Sequence, residues 1–145
     1  MSILQLDLPD ARVLDLYAGS GALGLEAISR GARSADFAEK DSKSLRALEE
    51  NIAALGAGEF VTIHRQGALS FADGLGVLDY DVAFADPPYA SGDAERLARR
   101  WIERPFSRVL SIEHAVKAAM PEGRGERGET RKYGSTAITF YRSEE

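Results

Sequence analysis

The 145-residue chain contains no cysteine. That absence excludes disulfides, thiolate zinc sites and cysteine nucleophiles, and it fits a cytoplasmic protein. Histidine is scarce too. His64 and His114 stand far apart with no second ligand at metal spacing, so no metal centre is expected. No apolar run reaches membrane-spanning length, and residues 1–8 are too short and mixed in polarity for a signal peptide, so no membrane partner is expected. No Gly-Lys-Ser/Thr sequence occurs, which disfavours a phosphate-cradling loop. Internal repeats and linkers are absent as well, and the chain reads as a single domain over residues 1–145 and as a monomer.

What is present is ordinary in bulk, with 44% hydrophobic and 28% charged residues. The net charge of −5 is unevenly spread. Residues 1–94 carry 7 Lys/Arg against 15 Asp/Glu, whereas residues 95–145 carry 11 against 8. A cationic ligand is tolerated by the acidic part, and a polyanion has to approach from the other; plain surface scatter explains the asymmetry equally well.

Strand-like and helix-like segments alternate. Residues 12–17, 34–39, 59–64, 80–85 and 109–112 read as strands. Residues 22–30, about 42–55 and 92–101 read as helices, the second capped by Asp41 or Ser42 and stopped by Gly56. Residues 129–133 and 136–141 flank Gly134 as a hairpin, and the Gly- and charge-rich stretch Pro121–Gly128 reads as a mobile loop. The pattern predicts an α/β fold: a mostly parallel sheet with helices on both faces and an antiparallel C-terminal hairpin. Ligands in such sheets bind beyond the carboxyl ends of strands where strand order reverses.

The residues that invite chemistry fall at those ends. Asp15 precedes Gly19, Ser20 and Gly21, a loop in which glycine permits tight turning and close ligand approach. Alone, this loop suits a nucleotide site or a plain turn. The Asp15 carboxylate repels a pyrophosphate and suits a positively charged amino-acid group. Glu39 ends the second strand, where an acidic side chain accepts hydrogen bonds from ribose hydroxyls or is simply solvated. After the third strand, Gln66, Ala68 and Leu69 offer a side-chain contact and apolar surface to an adenine ring. The fourth strand ends in Asp86-Pro87-Pro88-Tyr89. Two prolines withdraw N–H donors and leave carbonyls free. The Asp86 carboxylate and the Pro87 carbonyl then suit the two N–H groups of an exocyclic amine, and Tyr89 offers a ring for stacking a planar base. Glu113 borders this region with an open role. Trp101 reads as packing. Arg131, Lys132 and Tyr133 read equally as a phosphate contact or a solvated edge.

Taken together, VLDLYAGSGALGLEA at 13–27, AEKD at 38–41, FADPPY at 84–89 and KYGSTAITFY at 132–141 resemble the RsmD-type methyltransferases. The resemblance implies the class I S-adenosylmethionine-dependent fold, a Rossmann-like seven-stranded sheet. It also implies methylation of N2 of one guanine, position 966 in the usual naming, of 16S ribosomal RNA, alone or in a small-subunit particle. Asp15, Gly19 and Gly21 would then line the methionine end of S-adenosylmethionine, Glu39 would hold its ribose, and Asp86, Pro87 and Tyr89 would hold the guanine. Two departures bear on this. Gly67 stands where the family usually has aspartate, which predicts a weaker or rearranged cofactor site. A basic N-terminal segment usual in the family is missing, which reduces the expected affinity for RNA. Methylation of DNA adenine N6 or of a protein glutamine amide is the alternative within enzymes, and a non-catalytic cofactor- or RNA-binding remnant is the alternative outside them.

Overall fold

A computed structural model describes residues 4–122 and 127–143. Strands β1 (Arg12–Leu16), β2 (Ser34–Ala38), β3 (Val61–His64), β4 (Tyr80–Ala85) and β5 (Ser107–Ala115) alternate with helices α1 (Ala22–Ser29), α2 (Ser42–Leu55), α3 (Ala68–Asp73) and α4 (Asp93–Glu103). Strands β6 (Arg127–Tyr133) and β7 (Thr136–Arg142) follow as a hairpin. Among the described residues these strands form one seven-stranded sheet in the order β3-β2-β1-β4-β5-β7-β6. Strands β1 to β5 are parallel to their neighbours, and β7 runs antiparallel between β5 and β6.

The central strands are apolar on both faces, as a parallel sheet covered twice requires. Val13, Phe37, Val82, Phe84 and Val109 share one core with Leu25 of α1 and Leu48 and Ile52 of α2. Leu14, Leu16, Ala83, Ala85, Leu110 and Ile112 share the other with Ala72 of α3 and Leu97 and Trp101 of α4. Helices therefore cover both faces, as the alternation predicts. Trp101 is a packing residue. It is fully buried, and its indole N–H donates to the Ser107 carbonyl at 3.0 Å, tying α4 to the start of β5.

Several elements differ from the sequence reading, among them the strand expected at 59–64, whose first two residues belong to a 3₁₀ turn over Gly58–Phe60. Helix α3 is not anticipated, because its six residues bury only Ala68 and Ala72 and it begins without a side-chain cap. It is seated from outside: the His64 ring stacks on Phe71 at 4.5 Å while its Nε2 lies 3.0 Å from Asp36, which also accepts from the Tyr80 hydroxyl at 2.7 Å. Strand β5 runs well beyond Val109–Ile112. Its polar residues are satisfied within the sheet, Ser107 donating to the Val109 carbonyl and His114 bonding Thr139 at 2.7 Å. The expected loop Pro121–Gly128 gives way to β6 at Arg127, and residues 123–126 lie outside the described residues.

The joint between β1 and α1 is closely packed. A Cβ on Gly24 would meet the Phe37 ring at 2.4 Å and an Asp15 carboxylate oxygen at 3.2 Å. Gly24→Ala is therefore expected to cost about 1–3 kcal/mol of stability through overpacking. Gly58→Ala, at a site with no atom within 4 Å of the added carbon, should change stability by less than about 0.5 kcal/mol. Urea unfolding of the two variants checks the contrast; equal midpoints would refute the close joint.

Candidate active site

Strand order reverses between β1 and β4. The loop after β1 leads to α1 on one face, and the segment after β4 leads to α4 on the other. A crevice opens between them at the carboxyl ends of the strands, where α/β sheets bind ligands. The β1–β4 register sets Asp15 beside Phe84, and β4–β5 sets Ala85 beside Ile112.

The loop after β1 turns through residues in the left-handed region. Tyr17 has φ 58°, Gly19 has φ 57° and Gly21 has φ 84°. For tyrosine this conformation is strained, and the ring is held by its hydroxyl, which donates to Asp93 Oδ2 at 2.7 Å. Burial foremost, then that carboxylate, raises the phenol's pKa. The loop is stapled to β2 as well. Glu39 accepts the Gly19 N–H at 2.7 Å with one oxygen and the Lys40 and Asp41 N–H groups, each at 3.0 Å, with the other.

Asp15 is 2% exposed and accepts the Gly24 N–H at 3.0 Å. Among the described residues it has no basic partner. Burial raises its pKa to about 8, with the Gly24 bond opposing and the charges of Asp86 and Glu39 adding. A buried carboxylate in that condition is a seat for a cation. A cleft of about 450 Å³ opens at the ends of the strands, lined by Tyr17, Glu39, Gly67, Ala68, Leu69 and Pro88 among others. Its size lies within the range of small-molecule sites.

The expected site residues are thus partly brought together. Glu39 and Ala68 line the cleft, and Gly19 and Gly21 shape the loop beside it. Ser20 is exposed, and its carbonyl accepts from Asn51 at 3.0 Å. Gln66 is exposed at the residue before the cleft wall begins at Gly67. Asp86 is exposed at the end of β4, and Pro87 is buried behind it. Tyr89 is 49% exposed, with its hydroxyl 2.8 Å from Thr136 of β7. The sequence reading missed Tyr17 and Asp93, whose contact spans 76 residues. Tyr17 looks like an ordinary strand-end aromatic, and only its place between Leu16 and the glycines hints at more. Arg131, Lys132 and Tyr133 are exposed on the outer strand β6, where charge also discourages edge pairing. Among the described residues no cluster that would hold a metal occurs, and no helix is long and apolar enough to cross a membrane.

The fold and the relatives together define a methyltransferase with the class I, Rossmann-like architecture. More particularly, the chain belongs to the family described as "conserved hypothetical protein 95", whose model matches residues 1–142, and this is the RsmD family that the motifs resemble. It is 30% identical over 138 residues to YlbH of Bacillus subtilis, spanning 90% of this chain and 75% of that protein. It is 42% identical over 83 residues to ribosomal RNA small subunit methyltransferase D of Escherichia coli, spanning 57% of this chain and 41% of that protein. The solved structure of Escherichia coli yhhF superposes with a TM-score of 0.85 at 30% identity, covering 99% of this chain and 81% of the other.

Asp15 carries a testable pH signature. Its folded pKa lies above its unfolded one, so its contribution is full at low pH and is lost as pH rises from about 4 to about 8. Asp15→Asn, which still accepts from Gly24, should therefore gain stability relative to the native chain across that window and level off above it. Thermal melting of both proteins from pH 4 to 9 checks this, and parallel profiles would contradict the buried, unpaired carboxylate.

Proposed function

We propose that the chain transfers a methyl group from S-adenosylmethionine to the exocyclic N2 amine of a guanine in 16S ribosomal RNA. The observation that carries this reading is the exposed Asp86, standing at the end of β4 beside the buried Asp15 and the glycine loop. The Escherichia coli relative, ribosomal RNA small subunit methyltransferase D, supports the substrate by its name.

The residues present fit the cofactor. Glu39 and Asp86 stand near Asp15, and a sulfonium or ammonium group would favour the ionised form of its buried carboxyl. Glu39 would take the ribose hydroxyls, and the apolar wall at Ala68 and Leu69 would take the adenine. When bound, S-adenosylmethionine supplies an electrophilic methyl group. Asp86 and the Pro87 carbonyl accept the two amine N–H groups of the base and so aim the nitrogen. The same acceptors stabilise the positive charge that grows on it as the new bond forms. The Tyr89 ring, fixed through Thr136, provides a stacking face. After transfer one proton leaves the nitrogen to a nearby carboxylate or water, so no strong base is required.

Asp86→Ala should leave cofactor binding nearly intact and lower methyl transfer on the order of hundreds of fold. Calorimetry with S-adenosylmethionine and tritium transfer to small ribosomal subunits, naked rRNA, DNA and protein measure the two effects. Unchanged turnover would remove Asp86 from the mechanism, and labelling confined to DNA or protein would remove ribosomal RNA as substrate.

Gly67 precedes α3 with φ −63° and ψ 148°, an N-cap without a capping side chain. An added Cβ would lie 3.7 Å from Lys40 Cδ, in ordinary contact. Gly67→Asp should therefore cap α3, raise stability by about 0.5–1 kcal/mol and tighten cofactor binding several-fold. Weaker cofactor binding in calorimetry would place the adenine elsewhere.

A further inference from the structure

Glu113 has no task in the chemistry above, yet the sheet sets it against the proposed catalytic carboxylate. The β4–β5 register pairs Ala85 with Ile112, so the next residues along, Asp86 and Glu113, emerge side by side. Both line a small cavity of about 110 Å³, with Leu23, Phe84, Ile138 and Phe140 as its apolar wall. Glu113 interacts electrostatically with the neighbouring Asp86 carboxyl and with Tyr89, whose hydroxyl meets Thr136 at 2.8 Å. Burial first, then Asp86, raises the pKa of Glu113, and Tyr89 pulls the other way.

Two carboxylates held this closely repel one another unless donors come between them. Side by side over an apolar wall, they match a flat ring edge with two neighbouring N–H donors. Guanine presents such an edge, with N1–H next to the N2 amine. Adenine and cytosine place a bare ring nitrogen beside their amine, and that lone pair would face an acceptor with no proton between them.

Resting on the guanine reading above, we infer that Glu113 is the specificity-determining residue of this site, accepting N1–H while Asp86 and the Pro87 carbonyl accept the two N2 protons. Three donors then meet three acceptors. A base without N1–H leaves Glu113 desolvated and unpaired, the condition under which buried polar groups discriminate most strongly. Thr136 and Tyr89 act through Glu113, orienting its carboxyl from the terminal hairpin.

The test uses the full chain, labelled S-adenosylmethionine, and short RNA oligonucleotides carrying a single guanine or 2-aminopurine in its place. 2-Aminopurine keeps the 2-amino group but has a bare N1. The native chain should prefer guanine by about 100-fold or more. Glu113→Gln can donate to a bare N1 as well as accept from N1–H, so it should bring the two rates within about tenfold of each other. Glu113→Ala should lose transfer to guanine while sparing transfer to 2-aminopurine. Melting temperatures of both variants separate misfolding from altered selection, and the ratio of the two bases is unaffected by the fraction folded. A ratio unchanged in both variants, or equal losses on both bases, overturns the role of Glu113 and leaves the guanine reading standing. Failure of the native chain to label guanine overturns the guanine reading and this inference together.

Discussion

Between β1 and β4 the chain pairs two parallel strands whose following segments depart to opposite faces of the sheet, and the site is built on that divergence. The same backbone ladder that satisfies the interior N–H and C=O groups also fixes which side chains end up together. Asp15 falls beside Phe84, Asp86 lies just beyond it, and β5 adds Glu113. Like charges thereby accumulate at one edge, against the interest of the folded protein alone. Burial foremost raises the pKa of Asp15 to about 8, and the neighbouring charges of Asp86 and Glu39 add to it. A cationic ligand of the kind proposed would relieve both, so the electrostatic cost of the arrangement and its use in binding would have one origin.

The remaining contacts at the site hold loops rather than build a core. Glu39 gathers three backbone N–H groups from two segments, so the glycine loop and the end of β2 move as one piece. Tyr17 reaches Asp93 at the start of α4, closing the crevice from the far side of the sheet. Tyr89 reaches Thr136, which exists at that position only because β7 inserts between β5 and β6. Each brace joins parts distant in sequence, and together they pre-organise groups that chemistry at an amine would require to be within fractions of an ångström.

Much of this was legible beforehand. The strands betray themselves by continuous apolar runs, α2 by its capping Asp41 and terminal Gly56, and the site by the Gly19–Gly21 loop, Glu39 and Asp86-Pro87-Pro88-Tyr89. Helix α3 was not legible, since six residues with two buried alanines carry no periodicity and the contacts that seat it, His64 on Phe71 and the core shared with α4, are long-range or lie outside it. Ser20 and Gln66 adjoin these motifs, and only the structure shows that both are exposed, because neighbours along a tight turn point in different directions. Tyr17 and Asp93 were overlooked for the converse reason: neither belongs to a local pattern, and their meeting is long-range.

The sequence by itself determined the fold class and the candidate groups of the site, because hydrophobic period, glycine, proline and carboxylate are properties of short segments. Only the tertiary structure decided which carboxylates stand together. Strand register is a long-range property, set by packing across the sheet, and it brought Asp86 and Glu113 side by side at the strand ends, with Asp15 level with Phe84 on the adjoining strand.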